Sequence, residues 1–472
     1  MDDDRAVRLR SGDEYLSSLC DGRRVVIADA VVDDVARHPA TTAMASFIAG
    51  LLDAHQHDER LVGPDGRPWA YAPARSRADV RTRGGAFEAV ARTSGGLLGR
   101  SPDFLATILT AWRVAAETFG EYEGNVVRCW ERCRSRNLVL THAISDPPGD
   151  RYLPPEAGAA AQTLRLVTRC DAGIVVRGAK MLATLAPFAD ELLVYPYRPL
   201  SETDADLALC FAVPVATDGL TLLCRPSLAG EARDRPFAGR FDEMDAICLF
   251  DDVLVPWERV FLCGDPAAAN GLRASTGMTA YAWHQSSVRA WIKAALVFAL
   301  ARACAEAGGR ARQQATRQQL GELAGIVETL RALVLAAEAG AREDGRGCYV
   351  CDQAPLAASA MMNATVYPRA VELLQLVVSS GLVVHPLAAD EEPTAMANAF
   401  YDGYFAGLGV NAVEHGRLLR AAADLALDRF GARQVLYERV FVGPPDAFRA
   451  KYYDIYETAQ RGDDDLLRAL MD

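Results

Sequence analysis

The sequence lacks any run of about 18 uncharged apolar residues, the length a membrane-spanning helix needs. Its longest apolar stretch, 290–305, is interrupted by Lys293 and Arg302, so no membrane span is expected. The opening residues, Met1-Asp2-Asp3-Asp4-Arg5, lack the apolar core of a secretory signal, and a cytoplasmic location is expected. Basic charge is short. There are 50 Lys and Arg against 62 Asp and Glu, a net charge of −12. That balance argues against nucleic acid as a partner, because such binding depends on counterion release, but it leaves room for a local basic pocket. The 11 cysteines are scattered and odd in number, which reads as reduced thiols filling a core rather than a disulfide framework. Also absent are a GxGxxG turn opening a helix, a Walker A loop and a GxSxG elbow. Ser94-Gly95-Gly96 has no lysine at Walker spacing and reads as a turn. Cys348-Tyr349-Val350-Cys351 is a lone CxxC without a second pair, so no metal site is expected. His55 and His57 read as solvated residues at a helix end.

What the sequence does have is a change of texture along its length. Residues 1–140 carry mainly helical signals. Ser11 with Glu14 three positions on is a capping-box pattern. Ala43, Phe47, Ile48, Leu51 and Leu52 recur at helical spacing. Ser101-Pro102 sets an N-cap residue before a proline suited to the first helical position, and predicts a helix through Phe119. Another helix is predicted over 125–136. Residues 141–270 break into short β-branched runs. Those at 163–170 and 174–177 flank the hairpin signal Asp171-Ala172-Gly173. Further strands are predicted at 192–195, 207–213, 220–224 and 246–250. From 271 to 472 helical periodicity returns, with long amphipathic segments over 283–307, 313–341 and 354–380 and shorter ones over 391–405, 411–428 and 430–440. The order predicts an α+β protein with a helical N-terminal domain (1–140), a central antiparallel β-domain (141–270) and a C-terminal helical bundle (271–472).

Two positions carry candidate chemistry. Arg100 directly precedes the predicted N-cap, where a cation opposes the helix dipole by roughly 0.3–1 kcal/mol. Local conflicts of this kind cluster at functional positions. The plainer alternative is an arginine that points to solvent or to a nearby acid. Phe104, four residues on, shares its helix face. His142 closes an apolar run ahead of Ser145-Asp146-Pro147-Pro148-Gly149-Asp150-Arg151. An imidazole at a strand end, beside a loop bearing acids and an arginine, is either a site rim or a satisfied turn histidine.

Five segments, in order and across nearly the whole chain, resemble the oxygenase component of the 4-hydroxyphenylacetate 3-monooxygenase family. They are Gly99–Phe104, Leu140–Arg151, Arg177–Met181 with Ala183-Thr184, Phe241–Asp245 continuing to Arg259, and Arg433–Arg439. The resemblance implies an acyl-CoA dehydrogenase-like fold. It implies a two-component monooxygenase in which a separate NAD(P)H:flavin reductase supplies reduced FAD by diffusion. With O2 as co-substrate, a C4a-hydroperoxyflavin then hydroxylates an aromatic ring ortho to a phenol oxygen. Arg100 and His142 match the family's catalytic pair at the phenol oxygen, and substrate contacts are implied at Arg100, Phe104, His142, Tyr197 and Arg198. Flavin contacts are implied at His142, Ala143, Ile144, Pro148, Asp150, Arg151 and Thr184, and at Gly443, Pro444 and Pro445, which match a Gly-Asp-Pro contact imperfectly. Arg289 opens a long helix, from which it reaches either the FAD pyrophosphate or a bundle salt bridge. A homotetramer is implied, with a dimer as the other state.

The departures concern the substrate. Phe104 stands where the family's well-known phenol hydroxylases carry tyrosine, which removes one hydroxyl from the phenol-binding set, worth about 0.5–1.5 kcal/mol. Tyr197 and Arg198 stand where some family members place small hydroxyl residues, and Arg198 either meets a carboxylate or is a solvated loop arginine. A specialised biosynthetic aromatic, free or tethered to a carrier protein, is therefore expected, with a halophenol as a variant. The competing reading is an FAD/[4Fe–4S] hydroxyacyl-CoA dehydratase of the same fold. That chemistry needs cysteines converging on the flavin, and positions 100 and 104 are not cysteine.

Overall fold

The computed structural model describes residues 8–148, 162–229, 235–384, 403–459 and 463–471. The first helix, α1 (Gly12–Ser18), forms the capping box between Ser11 and Glu14 that the sequence predicts. Two short strands follow, β1 (Arg24–Ile27) and β2 (Ala30–Val32). The helical reading of this segment missed them, because runs this short give little alternation to detect. Then come α2 (Thr42–His57), α3 (Arg77–Thr93), α4 (Pro102–Val114) and α5 (Glu123–Arg136). Helix α4 stops at Val114 rather than Phe119. The chain tightens there into 3-10 turns over Ala116–Tyr122, in which Gly120 takes a positive φ of 54°. His55 is not solvated. It is buried on the last turn of α2, and burial lowers its pKa to about 4, whereas His57 is exposed.

The strands β3 (Leu140–Ala143), β4 (Arg165–Cys170), β5 (Gly173–Thr184), β6 (Glu191–Val194), β7 (Leu209–Pro214), β8 (Leu220–Cys224), β9 (Asp245–Pro256) and β10 (Val260–Cys263) follow. They form two sheets, β2-β1-β8-β9-β5-β4 and β10-β7-β6-β3. The β4–β5 hairpin turns at the predicted residues, with Cys170 opposite Gly173. A single turn of helix, α6 (Ala238–Phe241), precedes β9. The all-antiparallel expectation needs correcting at two pairs, since β1 and β8, and β3 and β6, run parallel. Parallel neighbours need a long connection, and the β4–β5 hairpin of the other sheet provides it between β3 and β6. The β3–β6 register sets His142 opposite Leu193. Tyr195, two residues beyond Leu193, points to the same face.

The two sheets share one core. Ile174, Val176 and Phe250 of the larger meet Val194, Phe211 and Val213 of the smaller, and the Phe211 and Phe250 rings lie edge to face at 6.1 Å. The smaller sheet is covered on its other side as well. Leu140, Leu193, Tyr195 and Phe261 pack with Phe104, Leu105, Ile108 and Trp112 of α4. Strands β3 and β6 are therefore buried at every position, as a doubly covered sheet requires. This is how His142 comes to lie inside the protein.

The remaining helices are α7 (Pro266–Thr276), α8 (Met278–Ala307), α9 (Gln314–Ala339), α10 (Gln353–Val378), α11 (Ala412–Ala426), α12 (Arg429–Val440), α13 (Pro445–Thr458) and α14 (Asp463–Met471). The helix predicted over 391–405 lies almost entirely outside the described residues. Helix α8 is central, touching α3, α4, α9, α10 and α11. Gly96, in the turn after α3, approaches it closely. A Cβ there would stand 2.5 Å from the Arg289 carbonyl oxygen, so Ser94-Gly95-Gly96 is the packing turn the sequence predicts.

Candidate active site

The loop entering α4 is held from across the fold. The Glu243 carboxylate, just before β9, accepts the backbone N–H groups of Gly99 and Arg100 at 3.0 Å each and pairs with Arg433 of α12, also at 3.0 Å. A buried carboxylate thus sits where the Arg100 cation alone would oppose the α4 dipole. Ser101 holds the N-cap position, but its hydroxyl does not cap the helix and donates to Asp103 instead. Gln285 of α8 donates to both residues. Burial raises the Asp103 pKa to about 6 against these hydrogen bonds.

With its backbone fixed, Arg100 reaches three neighbours. Its Nε donates to His142 Nε2 at 3.0 Å, and its Nη1 donates to the Gly99 carbonyl at 3.0 Å and to the Tyr437 hydroxyl. The guanidinium lies 4.4 Å from the Phe104 ring centre and 5.3 Å from that of Phe441. Phe104 is therefore the floor under the cation rather than a hydroxyl donor. The Nη2 group has no hydrogen-bond partner among the described residues, and Arg100 lines a cavity.

The protonation state of His142 follows from its partners. A guanidinium N–H always donates, so Nε2 must accept. Burial, then the charges of Arg100 and Arg273, hold the His142 pKa well below its usual value, and the ring is neutral. A neutral ring with an unprotonated Nε2 carries its proton on Nδ1, which lies 2.7 Å from the Tyr195 hydroxyl and donates to it. His142 is thus a fixed neutral tautomer, poorly suited to accept a proton.

Around this pair opens a cavity lined by Ile144, Tyr197, Arg273, Met278, Trp283, Phe441 and Lys451, among others. Among the described residues its lining holds no carboxylate. A larger cavity, about 350 Å³, lies elsewhere, between the ends of α8 and α10 and the start of α11, and touches none of the residues singled out above.

The structure brings Arg100, Phe104, His142, Ile144 and Tyr197 together at the cavity. Gly443, at φ +100°, lies beside it, and a Cβ there would stand 3.5 Å from the Tyr197 hydroxyl. Pro444 and Pro445 follow as the start of α13. Ala143 points away, into the core between the sheets. Thr184 is buried with its hydroxyl 2.7 Å from Asp245, and Pro148 is exposed. Asp150 and Arg151 lie outside the described residues. Arg198 pairs with Asp146 at 2.9 Å, and Lys180 holds the same carboxylate. Arg289 is settled by the bundle. It grips Glu438 at 2.6 and 2.9 Å, so its reading as a pyrophosphate contact gives way to the buried salt bridge.

Sequence reasoning missed Tyr195, Glu243, Arg273, Tyr437 and Lys451. Tyr195 ended a predicted strand, and Glu243 and Tyr437 lay inside recognised segments. Arg273 and Lys451 gave no local signal.

A helical first part, two packed sheets and a helical bundle closing over the arginine–histidine pocket define the acyl-CoA dehydrogenase-like architecture. Within it, residues 11–262 match the family described as 4-hydroxyphenylacetate 3-hydroxylase N terminal, and 269–471 match its C-terminal counterpart. The chain belongs to this family. It is 33% identical over 435 residues to the 4-hydroxyphenylacetate 3-monooxygenase oxygenase component of Thermus thermophilus, covering 90% of each chain. It is 30% identical to a (3S)-3-amino-3-(3-chloro-4-hydroxyphenyl)propanoyl-[peptidyl-carrier protein SgcC2] monooxygenase of Streptomyces globisporus, over 92% of this chain and 85% of that one. A crystal structure of the oxygenase component of 4-hydroxyphenylacetate 3-monooxygenase complexed with FAD superposes with a TM-score of 0.92, at 32% identity and 98% coverage of both chains.

Proposed function

We propose that the chain is the oxygenase component of a two-component aromatic monooxygenase. It adds a hydroxyl group ortho to a phenol oxygen at the expense of reduced FAD and O2. The balance is phenol, FADH2 and O2 giving catechol, FAD and water. A separate NAD(P)H:flavin reductase supplies the reduced flavin. The observation that carries the reading is the Arg100–His142 pair, on a cavity whose described lining has no carboxylate.

The donor set fits a flavin whose reduced form is anionic, since the Arg100 guanidinium borders the cavity. Ile144, Gly443 and the backbone around Thr184 would hold it. When bound, reduced FAD supplies an electrophilic oxygen by reaction with O2. The protein's own task is to prepare the ring. Arg100 Nη2 donates to the phenol oxygen, and the surrounding cations favour its ionised form, which is the more nucleophilic at the ortho carbon. His142 acts as a hydrogen-bonding wall of fixed tautomer, held by Tyr195. Phe104, Trp283 and Phe441 exclude water and limit wasteful loss of peroxide.

Phe104 in place of tyrosine, and Arg198 already paired, support a specialised aromatic, free or carrier-tethered. The dehydratase reading is not favoured, because Cys129 and Cys133 lie on α5, packed among Tyr71, Trp112 and Trp130. Exposed Leu376, Leu427, Leu436 and Val440 on the late helices and their connections are the faces a homotetramer would cover. No described helix is long and apolar enough to cross a membrane. The test is to supply reduced FAD and 18O2 with a panel of phenols and follow catechols by mass spectrometry. Catechol carrying one labelled oxygen is expected, and a panel yielding only hydrogen peroxide from an otherwise flavin-binding protein would count against the assignment.

A further inference from the structure

The outer end of the cavity holds two cations that no described residue neutralises. Arg273, in the last turn of α7, stacks over the Tyr197 ring at 4.6 Å. It makes no hydrogen bond or ion pair with any described residue. Lys451 of α13 is likewise unpaired, and both line the cavity. They sense one another: partial burial, and then the Arg273 charge, lower the Lys451 pKa. The Arg273 charge also reaches inward to His142. Two like charges facing one cavity with no acid in its described lining repel each other, and this is unusual in a chain of net charge −12. Elsewhere the protein pairs such groups. Arg198, the cation the sequence put forward for a carboxylate, is held by Asp146, and Arg289 and Lys293 share Glu438.

We propose that Arg273 and Lys451 form an anion subsite that selects phenols carrying a negatively charged group at the end remote from the ring hydroxyl. This rests on the monooxygenase reading above and deepens it. Arg100 takes the phenol oxygen at the inner end, and the Arg273–Lys451 pair takes a carboxylate or phosphate oxygen at the mouth, so that the substrate is held at both ends. A planar guanidinium stacked on Tyr197 is pre-oriented for two parallel hydrogen bonds to such a group. The anion comes from one of two sources, the carboxylate of a free aryl acid or the phosphate of a phosphopantetheine arm.

The test reads binding, so that its outcome is independent of turnover. 4-Hydroxyphenylacetate, its methyl ester, and a 4-hydroxyphenylacetyl phosphopantetheine thioester are titrated calorimetrically into the wild type, Arg273→Gln, Lys451→Gln and the double variant. Oxidised FAD affinity and the melting temperature are measured alongside. We expect the double variant to weaken binding of the acid, the thioester or both by about ten- to a hundredfold, with the ester and FAD unchanged. Loss confined to the acid assigns the free carboxylate, and loss confined to the thioester assigns the carrier arm. Lys451→Gln alters an exposed side chain and serves if Arg273→Gln folds poorly. Four outcomes overturn the proposal: acid and thioester each binding every variant as tightly as the wild type; neither anion binding the wild type; a fall in FAD affinity alone, which gives the cations to the flavin pyrophosphate; or a change in melting temperature alone, which makes Arg273 a helix-end stabiliser. Failure of the monooxygenase reading appears separately, as absence of catechol from any phenol.

Discussion

His142 and His284 are both buried and both hydrogen-bonded, yet their surroundings drive them to opposite charge states. His142 meets a guanidinium and a tyrosine, and its pKa falls well below the usual value. His284, on α8, lies 2.9 Å from Glu338. There burial pulls the pKa down, but Cys351 and Glu338 outweigh it and raise it to about 9. The contrast extends to whole regions. In the bundle, Arg289 and Lys293 converge on Glu438, whose pKa stays near 2 because the two cations overcome its burial. In the cavity, Arg100, Arg273 and Lys451 border space with no carboxylate among the described lining residues. Buried charge is compensated where it holds helices together and left open where a ligand is to supply the counter-charge.

The largest expected effect comes from breaking the compensated side. Glu438→Gln leaves Arg289 and Lys293 facing a neutral amide and should cost about 3–5 kcal/mol in urea denaturation. A loss below about 1 kcal/mol would show that the cluster is not a closed charge unit. Next is the open side. Arg100→Ala should lower kcat/KM for phenol hydroxylation by about 10²–10³-fold, with a far smaller change in denaturation midpoint than Glu438→Gln. Equal damage to stability and activity would erase the distinction between the regions.

The two histidines sharpen the comparison through pH. His142 has a folded pKa below its ordinary 6.5, so below that pH unfolding takes up a proton. Its contribution is intact above about pH 6.5 and is lost as pH falls. His284 has a folded pKa raised from 6.5 to about 9, so its contribution is full below pH 6.5 and is lost as pH rises toward 9. Each limb has a slope of up to about 1.4 kcal/mol per pH unit. Denaturation of His142→Gln across pH should flatten the acid limb, on which buried His55 also acts, and His284→Gln should flatten the alkaline limb. Unchanged limbs would refute the assignment. The smallest effect belongs to Arg198→Ala. Its half-exposed pair with Asp146, whose carboxylate Lys180 also holds, should be worth under about 1 kcal/mol, with KM for any phenolic acid nearly unchanged. A large rise in KM would return Arg198 to the substrate.

Much of the fold was legible because its signals are local. The Ser11 capping box, the Asp171-Ala172-Gly173 turn and the periodicity of α8 to α10 each lie within a short window. The parallel pairing of β3 with β6 was not legible, since register across a long connection leaves no trace in alternation. The site divides in the same way. Arg100 stood out through its conflict with the α4 dipole, and His142 through its place at a strand end. Arg289 remained ambiguous because its partner lies 149 positions away. Arg273 and Lys451 stayed hidden because their significance is the lack of an acid among the described residues around the cavity, which only three-dimensional packing reveals.

The contact between Arg100 and Tyr437 spans 337 positions of chain. At a synthesis rate of about 5–20 residues per second, roughly 20 to 70 s separate the emergence of the two residues from a ribosome. Through that interval the sheets and α4 can assemble, but the aromatic wall of α12 does not yet exist. By drawing that wall from α12, the fold leaves the pocket open until a segment 337 positions after Arg100 has packed against it.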